Sequence, residues 1–139
     1  MKEHVRHYKI RSLTCKLKYS INNYQANLVS IHSEEEHQFL VGLNGGFPWL
    51  GGRRDPRKGN NFVWSDGTPW DYSNWAKGQA SVDRGDEDCA HMWERNKLHK
   101  WSDQACSVGR TFVCKKGKST PNIINFQKFQ ILTLHLALS

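Results

Sequence analysis

The chain has 139 residues, 37% hydrophobic, 12% aromatic and 24% charged, with four prolines and eleven glycines. That composition excludes collagen-like, low-complexity and wholly disordered classes, and the length allows one domain with flanking segments. The net charge of +7 lies at the two ends: residues 1–20 carry six Lys/Arg against one Glu, residues 115–139 carry four Lys and no acid, and residues 21–114 come to −2. The middle therefore lacks the basic face that follows a phosphate backbone, and the sequence argues against nucleic acid as a partner. No apolar run of signal-peptide length follows Met1, and the longest apolar stretch, residues 131–138, is interrupted by Thr133 and His135. It is far short of the ~20 residues of a membrane helix, so no transmembrane segment is expected.

In chain order, Leu13, Leu17, Ile21, Tyr24 and Leu28 form a helical stripe, with Cys15 off it, and residues 27–31 alternate as a strand does. Ser33-Glu34-Glu35-Glu36 fits a capping box, in which the Ser33 hydroxyl accepts from the Glu36 amide while the Glu36 carboxylate reaches back. The helix it opens runs through Phe39, Leu40 and Leu43 and stops at Gly45-Gly46. Short strands are expected at 49–52, 62–64, 100–102 and 111–114, with a tight turn at Ser65-Asp66-Gly67-Thr68-Pro69. Cys89, His91 and Trp93 share one face of a further strand, which turns at 94–97. Between them, residues 69–88 form a long loop rich in Trp, Gly and Asp, and such loops carry function or motion. The tail from Ser119 onward holds no acid, and its apolar run has no obvious partner. One early helix followed by antiparallel strands gives an α+β class.

Four cysteines, Cys15, Cys89, Cys106 and Cys114, allow three disulfide pairings. Their spacings of 74, 17 and 8 match no zinc pattern, Cys89 and His91 being the one close pair. No Gly-x-Ser-x-Gly elbow, His-Glu-x-x-His helix or phosphate loop is present, so no enzyme is expected.

The central residues resemble the C-type lectin-like domain. The resemblance rests on Ala26-Asn27-Leu28-Val29-Ser30-Ile31-His32-Ser33-Glu34-Glu35-Glu36, Trp49-Leu50-Gly51-Gly52, and Phe62-Val63-Trp64-Ser65-Asp66-Gly67-Thr68-Pro69. It continues through Asn74-Trp75, Glu87-Asp88-Cys89, Lys100-Trp101-Ser102-Asp103, Cys106 and Phe112-Val113-Cys114-Lys115, in the family's order. It implies a double-looped α+β fold in which Cys89 pairs with Cys106 and Cys15 with Cys114. The domain is then expected over 26–115, after a diverged segment 1–25 that lacks the family's leading strand and before a tail at 116–139.

The resemblance also implies a ligand site. In lectins of this family calcium sits on the long loops and sugar hydroxyls complete its coordination, since a hard cation accepts oxygen ligands from either source. Carried over residue by residue, the metal and carbohydrate positions are Gln79, Ser81, Glu87, Ser102 and Asp103. Only Glu87 and Asp103 are carboxylates, and Ala80 stands where the family places proline. Ligand charge governs calcium affinity, so a weakened or altered calcium site is expected, with Asp83, Asp86, Glu87 and Asp88 as a further reserve of carboxylate. Those acids read equally as solvated loop charges paired with Arg84 or Arg53. The function implied is carbohydrate binding by a secreted domain, with a glycan or glycoprotein as partner. The alternative is calcium-independent binding of a protein or another surface. Trp49, Trp64, Trp75 and Trp101 match core positions of the family, leaving Trp70 and Trp93 freer to contact a ligand. His32, His37, His91 and His99 show no ligand spacing and are expected at the surface or partly buried.

Overall fold

The computed structural model describes residues 15, 26–43, 47–59, 61–81, 89–93, 99–116 and 129–132. Its elements are β1 (Ala26–Leu28), α1 (Glu34–Gly42), β2 (Trp49–Asp55), β3 (Asn61–Trp64), β4 (Cys89–Trp93), β5 (Lys100–Gln104), β6 (Phe112–Lys116) and β7 (Phe129–Leu132), with a 3-10 turn at Pro56–Lys58. This is the α+β arrangement expected: among the described residues a helix, α1, accompanies a mixed sheet. Leu28, counted above in a helical stripe, is in strand β1; the other four members of that stripe lie outside the described residues.

Helix α1 starts where the cap predicts. Ser33 is extended at φ −156°, and its hydroxyl accepts from the Glu36 amide at 3.1 Å. The Glu36 carboxylate reaches back to the His32 amide at 2.8 Å, one residue further upstream than in the simplest capping box. The last turn closes at Leu43, whose N–H bonds the Leu40 carbonyl. His37 and Leu40, three apart on one face, are the buried residues of the helix.

The sheet runs β1-β6-β2-β4-β5, with β3 on β2 and β7 on β6. Both faces are covered, and alternate residues divide between two apolar clusters. One face gathers Ala26, Leu28, Trp49 and Phe112 around the disulfides Cys15–Cys114 and Cys89–Cys106. These are the two pairings the resemblance implied. The other face gathers Val29, Leu50, Ala90, Met92 and Val113 with Trp64 and Trp101. Gly51 lies where two segments nearly touch: its N–H donates to the Val29 carbonyl at 2.8 Å, and a Cβ there would come within 2.7 Å of the Leu28 carbonyl oxygen.

Strand β6 has three partners. The Val113 carbonyl accepts from Val29 N and the Thr111 carbonyl accepts from Trp49 N, so β1 and β2 share one edge of β6. Strand β7, antiparallel with Phe112 opposite Leu132 and Lys115 opposite Phe129, takes the other edge.

Candidate functional site

The long loop is docked on β5 by its backbone. Trp101 N donates to the Asn74 carbonyl and Ala76 N to the Trp101 carbonyl, each at 2.8 Å, making a short parallel bridge between Trp75 and Trp101. Beneath it lies His37. The Trp101 indole N–H donates to His37 Nδ1 at 3.3 Å, and Asn74 Nδ2 stands 2.8 Å from His37 Nε2. Asn74 Oδ1 in turn accepts from Lys100 Nζ at 2.6 Å. Burial lowers the pKa of His37, which agrees with a ring nitrogen accepting from an indole that can only donate. His37 and His91, expected at the surface or partly buried, are fully buried core residues at 1% and 3% exposure. Their rings fill the space between helix and loop and between β4 and Trp49.

The tryptophans pack around this dock. Trp49, Trp64 and Trp101 are buried and Trp75 is half-buried. Trp70 is less free than its place in the loop suggested: it stacks on Trp64 with centroids 4.0 Å apart, and its indole N–H donates to Ser73 Oγ. Phe62 meets Trp75 edge-on at 4.9 Å.

The expected ligand positions come next along the loop. Gln79 N closes a turn onto the Ala76 carbonyl, the Gln79–Ala80 peptide is cis, and Gln79 Oε1 is buried with no hydrogen-bond partner among the described residues. Asp103 on β5 is 4% exposed. Its Oδ1 accepts from Ser81 N at 3.2 Å, and its Oδ2 accepts from Arg54 Nη2 at 3.0 Å. The same Nη2 donates to the Ser81 carbonyl at 2.9 Å. Ser102 is buried, and its hydroxyl makes a long 3.4 Å contact to the Asp103 carbonyl. The structure thus brings Ser81 and Asp103 together, with Ser102 beside Asp103 in sequence. Glu87 and the other acids of 83–88 lie outside the described residues.

Arg54 is the residue that sequence reasoning missed. From sequence, Arg53 is named as a partner for the acids of 83–88, which lie outside the described residues, and its neighbour Arg54 goes unconsidered. Arg54 sits opposite Phe62 in the β2–β3 register, with its guanidinium 4.8 Å from the Phe62 ring centroid. Its side chain is 11% exposed.

The described donors do not fit calcium. A calcium ion draws on six to eight oxygen ligands, carboxylates foremost. Here both Asp103 oxygens already accept from N–H groups, one of them cationic, and the described residues include no group of three His, Cys, Asp or Glu suited to a metal. The partnerless Gln79 oxygen is one neutral ligand against those two.

A second polar cluster ties the exit of β1 to the turn at 65–71. Asp71 Oδ1 lies 2.6 Å from His32 Nδ1, and His32 Nε2 lies 3.1 Å from Ser30 Oγ and 3.0 Å from Thr68 Oγ1. The order Asp71, His32, Ser30 has the sequence of a hydrolase relay. However, Ser30 is 1% exposed, and its hydroxyl donates to Asp66 Oδ2 at 2.5 Å, so it is neither reachable nor activated by His32. The cluster joins two segments of the fold.

The two disulfides and the α+β fold are what the sequence resemblance implied. Residues 12–116 match the family model described as the lectin C-type domain. The chain belongs to the C-type lectin domain family. A mannose-binding isoform of C-type lectin from Oxyuranus scutellatus is 33% identical over 95 residues, covering 64% of this chain and 60% of that protein. A lectin from Pleurodeles waltl is 38% identical over 98 residues, covering 65% and 55%. The crystal structure of the C-type lectin CEL-I from Cucumaria echinata superposes with a TM-score of 0.67 at 25% identity, covering 79% of this chain and 82% of that one. The chain thus spans 55–60% of the length of these two curated relatives. Among the described residues of this C-type lectin domain, no helix is long and apolar enough to cross a membrane.

Proposed function

We propose that this C-type lectin domain is an extracellular carbohydrate-binding module whose partner is a glycan or glycoprotein. It takes that ligand on the loop edge that joins Ser81 to Asp103, with Gln79, Ser81, Glu87, Ser102 and Asp103 as the proposed binding residues. The ligand-binding unit is the stretch 26–115, with 1–25 and 116–139 as flanks. The observation that carries this reading is the clamp between loop and sheet: the buried Asp103 carboxylate holds the Ser81 backbone N–H, so the edge is fixed before any ligand arrives. A prearranged edge loses little ordering entropy on binding. Two disulfides favour an oxidising compartment and hence secretion. The relative named as mannose-binding makes mannose the first sugar to test.

The second reading, calcium-independent binding of a protein or another surface by the same edge, is favoured by the occupied oxygens of Asp103. A glycan array probed with the wild-type domain and with Asp103→Asn, in calcium and in EDTA, separates the two. Glycan retention that falls at least tenfold in a folded Asp103→Asn variant supports the first reading. An array with no retained glycan, together with binding to a protein-coated surface, supports the second.

A further inference from the structure

We infer that the guanidinium of Arg54 is a built-in cation that does the work of calcium in this loop, so that the assembled site needs no metal. The bonding of one nitrogen carries the argument. Nη2 has two protons, and both are used: one goes to Asp103 Oδ2 at 3.0 Å, the other to the Ser81 carbonyl at 2.9 Å. A calcium ion in a loop does two things, neutralising a buried carboxylate and gathering loop oxygens around one positive centre. Arg54 does both from the protein side. The carboxylate it neutralises is buried, its side chain fully so, and the carbonyl it gathers belongs to the loop edge.

The placement is a built one. Arg54 comes from a strand with neighbours on both edges, since β3 and β4 both pair with β2. The guanidinium also rests on Phe62, itself packed against Trp75 at the base of the loop. Its position is therefore inherited from the sheet and the aromatic cluster, and not from the loop it fastens. A dication drawn to Asp103 would have to displace a strong charge-assisted hydrogen bond and then sit beside a guanidinium of like sign. Asp103, the carboxylate that the family pattern assigns to metal, is here half of an ion pair.

This inference deepens the proposed site but holds whether the ligand is a sugar or a protein. The test uses the oxidised full chain, melted in millimolar calcium and in excess EDTA, with Arg54→Met and Arg54→Lys alongside wild type. Wild type is expected to melt at the same temperature in both buffers. Arg54→Met, which keeps an unbranched apolar stem and removes the guanidinium with its charge, is expected to melt roughly 10 °C lower in EDTA and to recover part of that loss in calcium. Arg54→Lys keeps the charge, and is expected to remain indifferent to calcium. A wild-type midpoint that rises in calcium overturns the inference, as does an Arg54→Met midpoint equal to wild type. If Arg54→Met does not fold, the wild-type and Arg54→Lys pairs still decide the matter. Glycan retention by wild type in EDTA is read in parallel: its absence counts against the proposed function and leaves the melting results to judge Arg54.

Discussion

His91 gives a prediction whose size comes directly from the structure. Its ring is 3% exposed, edge-on to Trp49, with Nδ1 donating to the Met92 carbonyl at 2.8 Å. Burial, helped by the nearby Arg110 charge and opposed by the bond to Met92, pushes its pKa from 6.5 down to about 4. In the unfolded chain His91 takes up a proton below pH 6.5, whereas the folded protein refuses it until about pH 4. Stability is therefore full above pH 6.5 and falls as the pH drops toward the folded value. At about 1.4 kcal/mol per pH unit, the loss at pH 5 is about 2 kcal/mol, a fall in midpoint of roughly 6 to 8 °C. The measurement is urea unfolding of wild type and His91→Asn at pH 7.5 and pH 5. Asparagine can still donate to Met92, and carboxylate titrations common to both proteins cancel in the comparison. The variant starts less stable but should lose about 2 kcal/mol less over this interval than wild type. Equal losses in the two proteins would refute the assignment of the pH dependence to His91.

The two disulfides close loops of different length, with sequence separations of 17 and 99. On the chain-entropy model Cys106→Ala should cost about 3 kcal/mol and Cys15→Ala closer to 4.7, read from denaturant midpoints under oxidising conditions. Gly51→Ala should destabilise by roughly 1 to 3 kcal/mol, because the new methyl meets backbone oxygens of Leu28 and Val29 that cannot swing away. Gly42→Ala, at the exposed end of α1 with nothing within 4 Å, should instead gain about 0.5 kcal/mol, and calorimetry on the pair checks the contrast.

How much of this was legible in the sequence depended on whether a signal was local. The Ser33 cap and the Glu36 return are set within four residues, and both were readable from Ser-Glu-Glu-Glu. The order of the motifs implied the cysteine pairs, although four cysteines alone left three pairings open. From sequence, strand β2 is expected only as far as Gly52, and the charged Arg53-Arg54-Asp55 carries no local strand signal. It continues to Asp55 since β3 and β4 pair with it, a fact of tertiary structure. Arg54 was missed for the same reason: its partners are 27 and 49 residues away, and composition does not say which of two adjacent arginines turns toward them. His37 hid among three glutamates and a glutamine, yet its spacing from Leu40 was a usable sign of the buried face. His91 offered no such sign, because β4 lies between β2 and β5 with both faces covered, so alternation along it distinguishes nothing.

The three-sided pairing of β6 bears on the order in which the molecule can assemble. Strands β1 and β2 are made early, β6 late, and the residues that close its second edge later still, at 129–132. During synthesis, α1 and the β2–β3 hairpin can form from neighbouring residues, but the middle of the sheet must wait for a segment some 85 residues downstream of β1. Until β7 arrives, β6 presents a row of unsatisfied amides and carbonyls that any extended chain could pair with. The last strand is thus a guard on the nascent protein as well as a part of the finished one.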